Sequence, residues 1–202
     1  AIEWLNEITP DEVSFYVIKL ETIKIGDQSP VGPLFTIIKK PTTERKQIGS
    51  ERKEYAQRHV IREKFWGQFL AAVNQRNTLF ANINPGTGNW IGIGMGRGGI
   101  NLNLSASRSH TRSEIYINRG TQEENKKIFD YFYSLKDKIE QEFGDQLVWE
   151  RMEDNVTSRI KYQLDGVDVS KEEDWSRMNE FLIDGIERMH KSFQEPIQNL
   201  RF

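Results

Sequence analysis

Apolar residues recur along this chain with two periods, and the positions where one gives way to the other mark the elements. In ERKEYAQRHVIREKFWGQFLAAVNQRN, Tyr55, His59, Arg62, Trp66, Phe69 and Val73 fall on one stripe, which predicts a long helix with Ser50 as its N-cap. Strict alternation comes next. Ile91, Ile93 and Met95 alternate with Gly92, Gly94 and Gly96, and Ile100, Leu102 and Leu104 alternate with Asn101, Asn103 and Ser105. Two such runs joined by Gly-Arg-Gly-Gly predict a hairpin whose turn needs positive φ. RSEIYIN adds a third strand with Ile115 and Ile117 inward. The helical period returns with Ile128, Phe132, Leu135, Ile139 and Phe143, in a helix from about Gln122 to Phe143 that Gly144 ends. LVWERM and RIKYQLD predict a second hairpin. The last element is an amphipathic helix carrying Trp175, Met178, Leu182, Ile186, Met189 and Phe193, closed by Pro196.

Ahead of this body, AIEWLNEITPDE reads as the last turns of a helix, and VSFYVIKLETIKIG and PLFTIIKKP as two strands flanking a Gly/Asp/Pro loop. Two strands and a helix end are too little to stand alone. Residues 1–41 are therefore expected to be a two-strand tail of a preceding domain, docked on the main domain, which spans residues 42–202. The order of elements in that main domain, α-βββ-α-ββ-α, predicts an α+β fold with an antiparallel or mixed sheet and packed helices.

Charge changes this picture. The chain of 202 residues has a net charge of -2, with 28 Lys and Arg against 30 Asp and Glu. The segment from Lys39 to Arg112 nevertheless holds 13 basic and 4 acidic residues, a balance of +9, leaving 15 basic and 26 acidic residues, or -11, for the rest. No Asp or Glu lies between Glu63 and Glu114. That block is expected to be electropositive. Cysteine is absent, which excludes disulfides, thiol nucleophiles and cysteine-ligated metals and fits a reducing, cytoplasmic compartment. No apolar run approaches the length of a membrane span, so no membrane partner is expected.

The candidate chemistry is sparse. Gly94, Gly96 and Gly99 match G-x-G-x-x-G, but a strand comes where a dinucleotide loop needs a helix start, so the hairpin reading prevails. The glycines at 92, 94 and 96 then mark a close approach, with a covering helix as the expected neighbour and a ligand as the alternative. The order helix, three-strand meander, helix, strand is also that of the PD-(D/E)XK nuclease core, whose metal needs an acid on the second strand and (D/E)-x-K on the third. Ile100 to Ser107 contains no acid, and Glu114-Ile115-Tyr116 has no lysine. The E-x-K triplets at 44–46, 51–53 and 124–126 sit in polar linker or helix and read as chance. His59 and His190 fall on or beside apolar helix faces, and no histidine has a partner at metal-ligand spacing. No cofactor or metal is expected.

What remains is the basic, hydroxyl-rich strand-loop-strand from Asn101 to Arg112. With Ile100, Leu102 and Leu104 facing the core, Asn101, Asn103 and Ser105 point to the opposite face beside the glycines, and Arg108, His110 and Arg112 stand at its end, in a loop SRSHTRS. Such a surface suits phosphate oxygens. The candidate anion- or nucleic-acid-binding residues are Lys64, Arg76, Arg97, Asn101, Asn103, Ser105, Arg108, His110 and Arg112. The competing reading is a solvated loop beside a covered sheet face.

Several strings together resemble a family of bacterial and archaeal proteins associated with restriction and defence, in which a PD-(D/E)XK-type nuclease domain precedes a C-terminal domain of unknown function. Trp4-Leu5-Asn6-Glu7, Phe15-Tyr16, Ile25-Gly26-Asp27 and Phe35 before Lys40-Pro41 look like the close of the nuclease domain. Phe65-Trp66-x-x-Phe69, Glu114 to Ile117, Trp149, Arg159-Ile160, Trp175, Phe181-Leu182, His190 and Phe193 look like the C-terminal domain. The resemblance implies that the metal-binding acids of such a nuclease would lie upstream of Ala1, so no catalytic residue carries over. The expected function is an accessory module of a defence-type DNA nuclease, binding nucleic acid (DNA foremost) or positioning the catalytic domain, and not itself catalytic. The alternative is a protein-interaction or homodimerisation module built on the apolar aromatics of the end helices.

Overall fold

The structure, a computed structural model, describes residues 1–9, 13–24, 26, 28, 30–40 and 43–201, with side chains described throughout these except at 7 and 43–53. It divides into two compact units, Ala1–Arg58 and His59–Phe202. The boundary expected at 41/42 falls on residues outside the described set.

In the first unit, helix α1 (Ile2–Ile8) precedes strands β1 (Val17–Ile23) and β2 (Gly32–Lys39), which pair antiparallel with Leu20 opposite Phe35. Asn6 is buried and grips the main chain of Phe15 from both sides of its amide. Its Nδ2 donates to the Phe15 carbonyl at 2.9 Å, and its Oδ1 accepts the Phe15 N–H at 2.8 Å. Trp4, Ile18, Leu20, Phe35 and Ile37 all stay exposed.

Helix α2 runs from Thr43 to Val73, so Ser50 lies inside it instead of capping it. The run Glu44, Arg45, Lys46, Gln47 consists of good helix formers and carries the helix past the weaker Gly49-Ser50 signal. Tyr55, expected on the buried stripe, is exposed. Burial sets in further along, where Phe65, Trp66, Phe69 and Val73 are fully covered and Leu70 nearly so.

The second unit is built on strands β3 (Trp90–Gly94), β4 (Ile100–Ala106), β5 (His110–Ile117), β6 (Val148–Glu150) and β7 (Ser158–Asp165). They form one five-stranded sheet in the order β3-β4-β5-β7-β6, antiparallel at every pairing. The fold is therefore α+β with a two-stranded and a five-stranded sheet. The turn between β3 and β4 closes with Ile100 N–H on the Arg97 carbonyl, and Gly99 is obligatory in it. Its φ is +80°, and a Cβ there would sit 2.2 Å from the Cα of Arg119.

Period-2 alternation gives the sheet one apolar face. Ile100, Leu102, Leu104, Ile115, Ile117 and Ile160 are fully buried, each contributing about 1.5–3 kcal/mol. Helices α3 (Gln122–Ser134), α4 (Lys136–Phe143) and α5 (Trp175–Gln198) join this core. α5 passes close to the sheet at Gly185, where a Cβ would lie 2.5 Å from Ser113 Oγ. Phe65 of α2 meets Trp175 edge-on at 5.6 Å, and Phe132 of α3 meets Phe193 of α5 at the same distance. Trp175 also donates its indole N–H to the Val169 carbonyl at 2.7 Å.

Two expected boundaries move. The single helix from Gln122 to Phe143 is two, because Leu135 (φ -104°, ψ 11°) turns its N–H to the Phe132 carbonyl, three residues back. That tightened turn falls at the one three-residue step of the apolar pattern, Phe132 to Leu135. Pro196 does not close the last helix but sits buried inside it, near its end, where α5 runs on only to Gln198.

Candidate functional site

The other face of the five-stranded sheet carries the alternate residues of the same strands, and register brings them into rows. Trp90, Ser105, Arg112 and Gln163 form one row; Gly92, Asn103, Glu114, Lys161 and Val148 the next; Gly94, Asn101, Tyr116, Arg159 and Glu150 the third. This face is polar where the inner one is aliphatic. It holds an open groove of about 640 Å³ lined by residues of β3, β4, β5 and β7, with Glu114 on the central strand among them.

The expected helix does not come within 4 Å of where a Cβ on Gly94 or Gly96 would stand, although His190, Gln194, Ile197 and Gln198 of α5 face the two glycines across a cavity. A Cβ on Gly94 would meet only Asn101 Oδ1, 4.0 Å away, and one on Gly96 would meet nothing within 4 Å. Of the three, Gly92 alone is tightly approached, and by a side chain: its Cβ would fall 2.1 Å from Asn103 Oδ1 and 3.1 Å from the Leu102 carbonyl. Gly92 and Gly94 thus leave one side of the groove without side chains, which lets the amides of Asn101 and Asn103 lie across it, whereas Gly96 lies past the strand, in the turn, at φ +80°.

Charges crowd the centre. Arg112 Nε lies 2.9 Å from Glu114 Oε2, and Arg159 Nη1 lies 3.9 Å from the same oxygen. The Arg112 contact is close but angled away from a hydrogen bond, so Arg112 Nε and Glu114 Oε2 are both buried without a hydrogen-bond partner among the described residues, as is Ser105 Oγ. Glu114 is only 6% exposed. Glu150, on the edge strand, is fully engaged: Arg159 donates to one oxygen, and Lys161 Nζ stands 2.6 Å from the other.

The two carboxyls are consequently driven apart. Burial pushes Glu114 above the usual carboxylate range, against the pull of Arg112 and Arg159. Burial also pushes at Glu150, but the hydrogen bonds from Lys161 and Arg159 outweigh it and hold that carboxyl below the usual range. A carboxyl with a raised pKa, walled by cations in a cleft, is a recognised physical mark of a functional site.

The sequence candidates divide. Asn101, Asn103, Ser105 and Arg112 line the groove. His110 and Arg112 belong to β5 and not to a loop, because Ser107 Oγ accepts the N–H groups of Ser109 and His110 (3.2 and 3.0 Å) and so closes a turn of only three residues, 107–109. His110 stands beyond the groove's end, its Nδ1 within 3.1 Å of Ser107 Oγ and 3.0 Å of Ser109 Oγ, and burial, then Arg112, lowers its pKa. Arg108 is exposed on that turn. Burial raises the nearby Asp168 carboxyl, but hydrogen bonds from Ser170 and then the Arg108 charge bring it below its ordinary value.

Arg97 turns the other way and donates to the carbonyls of Gln198 and Leu200 at 3.2 and 2.9 Å, closing the C-terminal end of α5. Lys64 and Arg76 are exposed, on α2 and in the turn after it, outside the groove lining. Of the aromatics of the last helix, Trp175 and Phe193 are buried, at 6% and 0% exposure, and Phe181 is half-buried. Sequence reasoning set Glu114 aside and passed over Trp90, Tyr116, Glu150, Arg159 and Lys161. Arg159, Lys161 and Gln163 do alternate with Ile160, Tyr162 and Leu164, the same period that exposed the asparagines. Among the described residues, no group of three or more His, Asp or Glu comes together as a metal site, and no helix is long and apolar enough to cross a membrane.

An antiparallel sheet covered by helices on one face and open along a charged groove on the other defines a two-layer α+β domain. The chain belongs to the family described as Domain of unknown function (DUF4268), whose model matches residues 61–197, more than half of the chain and nearly all of the second unit. No curated protein and no solved structure matches it.

Proposed function

We propose that the second unit binds nucleic acid on the open face of its five-stranded sheet, as an accessory module and without catalysing by itself. The observation that carries this reading is the groove itself. It combines cations (Arg112, Arg159), amide and hydroxyl groups (Asn101, Asn103, Ser105) and two aromatic rings, Tyr116 within it and Trp90 at its rim, 59% exposed. Sheet faces of this make-up bind polynucleotides by stacking bases on rings and pairing phosphates with cations. Service to a defence-type DNA nuclease rests on the resemblance carried by strings such as Phe65-Trp66-x-x-Phe69 and Glu114 to Ile117, which implies a module that comes after a catalytic domain.

The test is affinity for a short oligonucleotide as a function of salt. Each phosphate-pairing cation removed should flatten the slope of log K against log salt by about one unit. Arg159→Gln and Arg159→Ala, at the flanking cation of the groove lining, should each do so, while Arg97→Gln and Lys64→Gln should leave the slope as it was. No binding by the parent chain, or slopes unchanged in the groove variants, would overturn the reading.

A further inference from the structure

A groove meant only for phosphate would not be floored by a carboxylate. Glu114 sits on the central strand, nine-tenths covered, with Oε2 lacking a hydrogen-bond partner among the described residues. Beside it, 2.9 Å away, Arg112 Nε is a donor in the same condition, and Ser105 Oγ, also buried and without a partner among those residues, belongs to the adjoining row. A buried acceptor next to a buried donor costs free energy in the empty domain that a ligand with the complementary pair would recover. Phosphate cannot supply that pair, because it brings acceptors alone and would face the Glu114 oxygen with like charge.

The hydrogen-bonding edge of a nucleobase does supply it, since each base carries an N–H donor beside an acceptor on its Watson–Crick edge. That edge is free only when the base is unpaired. The position of Glu114 points the same way: the floor of a groove on a five-stranded sheet cannot enter the major groove of a duplex, which admits a helix or a two-stranded ribbon. An unstacked base can enter the protein groove instead, and Tyr116 is there to pack against it.

Resting on the nucleic-acid reading of this face, we infer that the groove takes an unpaired base by its edge, with Glu114 Oε2 accepting from the base N–H and Arg112 Nε donating to the adjacent base acceptor. The ligand class is therefore single-stranded or locally unpaired nucleic acid, with the phosphates held by the flanking cations. The selectivity for single strands comes from the buried carboxylate.

The probes are oligonucleotides of equal length on the full chain: oligo-dT, the same strand built from N3-methylthymidine, an abasic strand and a duplex. N3-methylation removes the only donor on the thymine edge and leaves the ring and every phosphate in place. Oligo-dT is expected to bind at least tenfold more tightly than each of the other three. Glu114→Gln, near-isosteric and checked for an unchanged fold, should narrow the gap between thymidine and its N3-methyl form, because the amide can turn its N–H₂ instead of an acceptor to the site.

Equal affinity for thymidine, N3-methyl and abasic strands, with strong salt dependence, would overturn the base-edge inference and leave phosphate-driven binding standing. No binding to any strand would overturn both. A gap between thymidine and its N3-methyl form that persists undiminished in Glu114→Gln would overturn the assignment to Glu114.

Discussion

Arg112 Nε and Glu114 Oε2 stand 2.9 Å apart on the same strand, two residues from each other, and yet neither completes a hydrogen bond with the other. Alternation along β5 puts both side chains on the open face, where the sheet holds them without aligning them. Buried carboxyl and guanidinium groups in this state are costly to the fold and useful to a ligand.

The raised pKa of Glu114 has a definite consequence for stability. A carboxyl whose folded pKa lies above its unfolded value binds protons more readily in the folded state. Its contribution is fully present below the unfolded range, near pH 4.5, and is lost as pH rises through the folded value. Compared with Glu114→Gln, which does not titrate, the parent chain should gain stability as pH falls toward 4.5. Urea unfolding of both chains across that range measures it, and parallel curves would count against a buried, perturbed Glu114.

Gly92 and Gly94 should respond differently to alanine. Gly92→Ala drives a methyl into Asn103 Oδ1 and close to the Leu102 carbonyl, and should cost about 1–3 kcal/mol or displace the asparagine. Gly94→Ala has open space and should leave the unfolding free energy within about 0.5 kcal/mol. Equal losses at the two positions would mean that something covers Gly94 after all.

Lys126 holds the loop between β6 and β7. The residue is 6% exposed, and its ammonium reaches the carbonyls of Arg151, Met152 and Thr157 and the hydroxyl of Ser158, around the left-handed Met152 at φ 60°. Lys126→Met removes the donor to the Thr157 carbonyl and the Ser158 hydroxyl, while the Arg151 and Met152 carbonyls keep Ser158 Oγ and the Asn155 N–H, and should cost about 1–3 kcal/mol. Lys127→Met, one residue on and paired with exposed Glu123, should not shift the midpoint measurably.

The contact of Gly185 with Ser113 is testable by a double-mutant cycle. Gly185→Ala places a methyl 2.5 Å from Ser113 Oγ and should destabilise by about 1–3 kcal/mol. Ser113 Oγ is buried with no hydrogen-bond partner among the described residues, so Ser113→Ala should be close to neutral and should relieve much of the Gly185→Ala cost. Additive effects in chemical unfolding would refute a direct contact.

Arg97 separates stability from binding. Its two bonds to the carbonyls at the end of α5 should make Arg97→Ala destabilising by about 1–2 kcal/mol, with the salt dependence of any oligonucleotide binding unaltered. A changed salt slope with unchanged stability would return Arg97 to the binding surface.

By itself, the sequence determined the five strands and the amphipathic helices of the second unit, apart from the break at Leu135 and the start of β5, and which side of β4 faces the core, because a period of two or of about 3.6 is a local property that needs no partner to be read. The inward Ile115 and Ile117, the outward Asn101 and Asn103, and the strand-making role of the glycines all came from it. Tertiary structure decided the site. The hairpin of β6 and β7 was legible, but nothing local says that β7 inserts beside β5, and that one pairing carries Arg159 and Lys161 to Glu114. It also decided that Arg97, although it lies in the basic block, turns to the end of α5, since a free carbonyl row attracts a guanidinium wherever the fold brings them together. Charge counted along the chain measures what is available, whereas the groove's character depends on which charges the strand order brings face to face.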